Sequence, residues 1–297
     1  MTTTSVQQSG RGSAVSGLLG RLLPLVPFFL FLTIFLIVPT VTVAIGAFQD
    51  AETGAFTTAN IRALSSDAAL SALKGSLILS ASTALIGAFL GALLSYLIVS
   101  AGPDSFLKRI TLSISGVLAQ FGGVVLAFAW IATIGPVGLI TAWVLEQSDF
   151  NIFGSGWLFS LPGLIVVYVY FQIPLMVIVF TPALDGLRQE WREAAVNLGA
   201  NNWQYWRHVG IPLLTPAFLG SLLLLFANAF AAYATAAVLV SQGQPIVPLL
   251  IRQAITSEVL LTGRNFGFAL ALEMIVVVAI VMAGYALLLR RAGRWMK

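Results

Sequence analysis

The sequence predicts an all-α membrane protein with six transmembrane helices, and three observations carry that prediction. Of its 297 residues, 59% are hydrophobic and only 9% charged, against roughly 25% charged in a soluble globular domain. The mean hydropathy is +0.96. Six stretches reach the ~20 mostly apolar residues that cross about 30 Å of hydrocarbon in helical form.

Residues 1–21, rich in Ser, Thr, Gln and Gly, read as a mobile cytoplasmic tail. Leu22–Phe48 follows Arg21. It exceeds the ~7–15 apolar residues of a cleaved signal peptide and so reads as a retained first span. The others are Leu73–Val99, Ile110–Ile134, Trp157–Phe180, Leu213–Leu239 and Phe266–Leu289. Between the third and fourth, Gly138–Leu145 is apolar but short, and with Trp143 it reads as an interfacial helix. Gly87 and Gly91 form a G-x-x-x-G on the second span, a mark of close helix packing. Pro174 is expected to kink the fourth.

Lys and Arg set the orientation. With the N-terminus inside, the cytoplasmic segments hold Arg11, Arg21, Lys108, Arg109, Arg188, Arg192, Arg207, Arg290, Arg291, Arg294 and Lys297. Only Arg62, Lys74, Arg252 and Arg264 remain outside, so both termini are expected in the cytoplasm. The basic residues sit singly between apolar spans and form no nucleic-acid footprint. With Cys 0, disulfides and thiolate metal sites are excluded. No G-x-x-x-x-G-K-[ST] loop is present, so the chain cannot hold ATP in that manner. No Ser/His/Asp set or metal cluster lies within the spans, which disfavours an intramembrane enzyme. The single histidine, His208, reads as a surface contact.

The cytoplasmic segment 185–212, between the fourth and fifth spans, is long for a helix–helix connection and rich in helix formers. Gln189–Leu198 suits a short helix that Gly199 ends with a left-handed cap. A second piece carries Trp203 and Trp206 one turn apart, and Pro212 then opens the fifth span. The pair Ala194-Ala195 leaves a smooth surface for another protein. An amphipathic helix at headgroup level, anchored by Trp191, Trp203 and Trp206, is the plainer reading of the same residues.

This segment resembles the coupling loop of the inner-membrane permease subunits of type I, binding-protein-dependent ABC importers, E-A-A-x3-G-x9-I-x-L-P. Glu193, Ala194, Ala195 and Gly199 match outright, and Val209, Ile211 and Pro212 fall at the required spacing with conservative departures. The resemblance covers residues 70–290, a permease core of five helices, with 22–48 as a peripheral first helix and 291–297 as a basic cytoplasmic end. It implies a cytoplasmic coupling helix that docks on an ATP-hydrolysing subunit, Glu193 meeting a basic group there and Gly199 permitting the turn. It further implies two ATP-binding subunits that carry ATP and magnesium, a second permease subunit and an extracytoplasmic substrate-binding protein, in a bacterial plasma (inner) membrane. No cofactor is expected on this chain. Asn197-Leu198-Gly199-Ala200 and Phe266-Gly267-Phe268-Ala269 resemble the branch that takes polyamines, aminoalkylphosphonates and iron.

Polar groups inside spans are candidate path residues. Glu273 is the one acid within a span, about 10 Å below the outer edge by helix rise. Ser221, Asn228 and Thr235 recur every seven residues and are expected to share a face, while Tyr168 and Gln172 share another, and Gln120 is the polar residue of the third span. Glu273 either attracts a cationic solute or neutralises a partner's cation; the others either line a path or bond helix to helix. A polyamine-like or other small organic cation is the solute these residues suggest, with sugar, glycerophosphate, phosphonate or iron as alternatives. A secondary transporter or channel is the competing class, disfavoured because no matching pair of broken spans is visible.

Overall fold

The computed structural model describes residues 25–102, 105–148, 150–240, 246–256 and 263–292. The expected tail with Arg11 and Arg21, and residues 293–297 of the basic end, lie outside them. The described residues are helical apart from connections and one isolated bridge between Gln49 and Phe56. The helices are α1 Val26–Gly46, α2 Ala59–Ala63, α3 Asp67–Ser100, α4 Phe106–Gln120, α5 Gly123–Ile134 and α6 Leu139–Ser148. They continue with α7 Leu161–Asp185, α8 Gln189–Asn197, α9 Asn202–Ala231, α10 Ala234–Leu239, α11 Val247–Thr256 and α12 Gly263–Ala292. Six units are long and apolar enough to span a membrane: α1, α3, α5 with α6, α7, α9, and Asn265–Leu287 of α12.

Two of those units differ from the expected spans. Ile110–Ile134 is not one helix: the chain breaks at Phe121 and Gly122, and the long apolar unit runs instead over Gly123–Ser148. The cause is the Gly122-Gly123 pair, in which Gly122 is extended and Gly123 takes φ +68°, a conformation costly for other residues. The stretch Gly138–Leu145, expected as a separate interfacial helix, is helical as α6 but belongs to that apolar unit. Leu213–Leu239 is also divided, at Ala232 and Tyr233, so Thr235 sits on α10 and does not share a face of α9 with Ser221 and Asn228. The two breaks meet, because Thr235 Oγ1 donates to the Gly123 carbonyl at 3.1 Å.

Proline explains the remaining local features. In α1 a π turn at Thr33–Ile37 ends one residue short of Pro39, and in α9 another at Trp206–Gly210 ends one residue short of Pro212. A proline lacks the N–H for its intrahelical bond and crowds the carbonyl four residues back, and a widened turn relieves both. The fourth span starts as a helix at Leu161, not Trp157, with Pro162 in its first turn after a short 3-10 turn.

The bundle centres on α3 and α7. Water-driven burial supplies little between helices in lipid, so close packing and polar contacts hold them together. A Cβ added at Gly91 would lie 2.5 Å from the Met176 Cβ, and one at Gly87 would lie 2.6 Å from the Gln172 Cβ. The G-x-x-x-G pair is thus where α7 crosses α3. Buried Ala84, Ala88, Met176, Phe180 and Leu225 extend this seam on one side. Leu79, Leu126, Tyr168, Phe171 and Leu239 build a second cluster around the breaks. On the opposite side of the molecule from α8, Asn265 Nδ2 (2.7 Å) and Asn60 Nδ2 (2.8 Å) both donate to the Gln49 carbonyl. There Gly46 lies against the Phe268 ring, seating α1 on α12.

Candidate functional site

Segment 185–212 is built by local rules. Asp185, the last residue of α7, accepts two bonds from Lys108 Nζ at 2.7 and 2.8 Å, tying α7 to the first turn of α4. Arg188 is extended and opens α8, and Glu190 lies in the first turn, where the helix dipole favours a negative charge. Gln189 Nε2 donates to Glu193 Oε1 across one turn at 2.9 Å. No residue of α8 is buried.

The end of α8 matches the expectation for Gly199, whose φ is +81°. The Ala200 N–H donates to the Ala195 carbonyl and the Gly199 N–H to the Val196 carbonyl, both at 2.9 Å. This pair of bonds is the Schellman arrangement that satisfies the last carbonyls of a helix. Nothing lies within 4 Å of a Cβ added at Gly199, so its backbone alone imposes the requirement. Two residues later a reciprocal capping box starts α9, with Asn201 Oδ1 accepting from the Gln204 N–H and Gln204 Oε1 from the Asn201 N–H.

The expected second piece and the fifth span form one rod. From Asn202, α9 runs through the π turn holding Val209 and past Ile211 and Pro212 without interruption. Ala194 is exposed and Ala195 partly so, which leaves the Ala-Ala face open. His208 Nδ1 lies 3.0 Å from the Gln204 carbonyl and does no more than that. Sequence reasoning missed the Lys108–Asp185 pair, 77 residues apart, and the Tyr96–Trp206 ring contact. Neither leaves a local signal beyond a charge or an aromatic at a span end.

The candidate path residues divide. Tyr168, Gln172 and Asn228 come together between α7 and α9. Gln172, fully buried, donates from Nε2 to the Leu225 carbonyl at 2.8 Å, and Asn228 Nδ2 stands 3.5 Å from Gln172 Oε1. The Tyr168 hydroxyl donates to the Ala232 carbonyl at 2.8 Å, at the break where the helix stops supplying its own donor. Ser221, also buried, bonds the Ala217 carbonyl of its own helix. Gln120 ends α4 with an exposed side chain. Glu273 is half-buried on α12, its Oε2 buried without a hydrogen-bond partner. Among the described residues, no hydrogen bond joins Gln120 or Glu273 to the others. Nor does any group of three or more His, Cys, Asp and Glu there form a metal site.

The comparisons with known proteins fall on these same elements. Residues 150–294 match the family described as the binding-protein-dependent transport system inner membrane component. The sulfate transport system permease protein CysW of Synechococcus elongatus is 27% identical over 272 residues, covering 89% of this chain and 88% of that protein. The ferric transport system permease protein FbpB of Actinobacillus pleuropneumoniae is 25% identical over 75% of this chain, which is 31% of its own length. A probable sulfate transport permease of Chlorella vulgaris is 27% identical over 50% of this chain and 54% of that protein. Against this and two further sulfate permeases the chain spans 54%, 58% and 62% of the relative's length. In fold, a chain of a bacterial ABC transporter that imports the acidic polysaccharide alginate superposes with a TM-score of 0.73 at 16% identity, over 94% of this chain and 99% of that one.

Proposed function

Since this chain is an inner-membrane permease component of the binding-protein-dependent ABC importer family, its residues 150–294 carrying the membership, we propose that it conducts a small polar solute across the membrane while α8 receives the stroke of an ATP-hydrolysing partner. The chain is a transport subunit and not itself an enzyme.

One observation carries the coupling assignment: an exposed helix, ended by a glycine-dependent cap, joins directly onto a membrane-length rod. A push on α8 passes through Gly199 and the capping box into α9 without a loose joint, and rigid transfer of this sort is how hinge-like transitions propagate. Glu193 is exposed on α8 beside Ala194 and Ala195, which supports a docking surface that accepts a basic group. Val209 lies in the widened turn Trp206–Gly210, and Ile211 and Pro212 follow it where the rod is read as entering the membrane. One chain supplies one such helix. Two ATP-binding subunits holding ATP and magnesium therefore require a second permease subunit, and we read the pair as a heterodimer.

A periplasmic binding protein accompanies the alginate transporter in one matched structure, at TM-score 0.69. By that likeness a substrate-binding protein delivers the solute here. Both termini are assigned to the cytoplasm, in a bacterial plasma (inner) membrane, on the positive charge of the segments around α8.

For the solute we read a small organic cation, supported by Glu273 on an otherwise apolar helix. Gln172, Asn228, Tyr168, Thr235 and Gln120 serve as supporting polar groups. With relatives named for sulfate, ferric iron, thiamine and starch degradation products, a sugar, glycerophosphate, phosphonate or iron is the alternative that uptake assays must exclude.

The test is purification of the tagged chain with its partners. Glu193→Lys is expected to leave the helices in the membrane and the second permease attached, while the ATP-binding subunits no longer co-purify. Undiminished recovery of those subunits with Glu193→Lys overturns the assignment of α8.

A further inference from the structure

Two cavities meet beneath α8. One, of about 650 Å³, lies between α8 and the ends of α3 and α7, with Ser100, Arg188, Arg192, Glu193 and Asn197 among its walls. The other, of about 680 Å³, is an apolar groove between α3, α7 and α9 lined by Phe89, Ala92, Leu93, Phe180, Trp203 and Phe218. Tyr96, Leu184 and Trp206 belong to both. The crevice therefore has a charged end and a greasy end, joined at two aromatic rings.

The charge at the polar end is unbalanced. Arg188 and Arg192 put two positive charges there against the one negative charge of Glu193, which accepts a bond from the neutral Gln189 amide. Among the described residues, the one ion pair is Lys108 with Asp185, and neither Arg188 nor Arg192 pairs with a carboxylate. Arg188 instead lies over the Trp191 ring at 5.9 Å. Tyr and Trp collect where a bilayer meets water, which puts the junction at headgroup depth. Basic pockets between membrane helices on the cytoplasmic side take phospholipid headgroups. We propose that this crevice binds one anionic phospholipid of the cytoplasmic leaflet, its phosphate between Arg188 and Arg192 and an acyl chain along the groove past Leu93 and Phe218. A free phosphate satisfies only the first half of the site. The inference rests on α8 lying at the cytoplasmic membrane face and is independent of the solute carried.

The complex is reconstituted in phosphatidylcholine vesicles containing increasing mole fractions of brominated phosphatidylglycerol or brominated phosphatidylcholine. Tryptophan quenching is then read without solute or ATP, so failure of the coupling assignment does not affect the result. Each arginine is expected to favour the anionic lipid about fivefold, placing half-maximal quenching by phosphatidylglycerol roughly twenty-fivefold lower in mole fraction. Arg188→Gln with Arg192→Gln should abolish that preference, and the two Lys replacements should retain most of it. Should the Gln pair fail to assemble, Ala92→Phe, which fills the groove and leaves the arginines, should also remove the preference. Equal quenching by the two lipids in the unmodified complex overturns the proposal. So does a preference untouched by either the Gln pair or Ala92→Phe, or one that inorganic phosphate alone eliminates.

Discussion

Trp206 meets Tyr96 edge-to-face, with ring centroids 5.3 Å apart and planes at 85°. The widened turn at the start of α9 is thereby clasped to the last turns of α3. Edge-to-face aromatic pairs contribute about 0.5–1.5 kcal/mol beyond their area. A double-mutant cycle of Tyr96→Ala and Trp206→Ala, followed by denaturant titration in mixed micelles, should return a coupling energy in that range. Strict additivity of the two losses would show that the contact does not hold the turn.

Gly199 separates backbone from packing. Val there is expected to cost about 1–2 kcal/mol of the αL conformation and to abolish solute-stimulated ATP hydrolysis, since the direction of α8 depends on it. Asn tolerates the same region and should keep most of the stimulation. Equal activity in both variants would mean that the cap does not orient α8.

Two glycines make opposite predictions for the same substitution. Gly91→Ala places a methyl 2.5 Å from Met176 Cβ and 2.8 Å from the Ile173 carbonyl, and should lower the unfolding temperature in detergent. Gly116 has open space around its Cβ position. Ala there should be neutral or stabilising by up to about 1 kcal/mol from helix propensity. A reversed order would remove the α3–α7 crossing from the account of stability.

Glu273→Gln keeps the size of the side chain and discards its charge. With a cationic solute on the path, uptake into vesicles should fall while the purified complex stays whole. If Glu273 instead neutralises a partner's cation, losing it leaves that charge buried at about 3–5 kcal/mol, and the complex should dissociate. Normal uptake by an intact complex would leave Glu273 without either role.

The fold was legible wherever one local rule dominated. Apolar length found the long helices, and the helix formers of Gln189–Leu198 with Gly199 after them found α8 and its cap, because turn chemistry acts over a few residues. The breaks were harder for two different reasons. Gly122-Gly123 carried a visible signal that hydropathy overrode, since a glycine pair in an apolar run does not shorten the run. Ala232-Tyr233 carries none. The Ala232 carbonyl at that end of α9 is met by the hydroxyl of Tyr168, 64 residues away. For the same reason the seven-residue recurrence of Ser221, Asn228 and Thr235 predicted a shared face that only an unbroken helix would have. Lipid-facing and partner-facing surfaces are alike in composition, so no pattern could decide whether Glu273 faces a path or another subunit.

The 30 residues of α9 run unbroken from the capping box to the Ala232 break, a rod of about 45 Å. Such a rod is a lever. Held at the Tyr96–Trp206 clasp near one end, a tilt of only about 5° sweeps the other end, about 38 Å away, through about 3.3 Å, a little more than the length of a hydrogen bond. That far end is where the Tyr168 hydroxyl grips the Ala232 carbonyl and where Thr235 reaches Gly123. A displacement too small to disturb the packed middle of the bundle is therefore large enough, at the tip, to unfasten the contacts between the two broken helices.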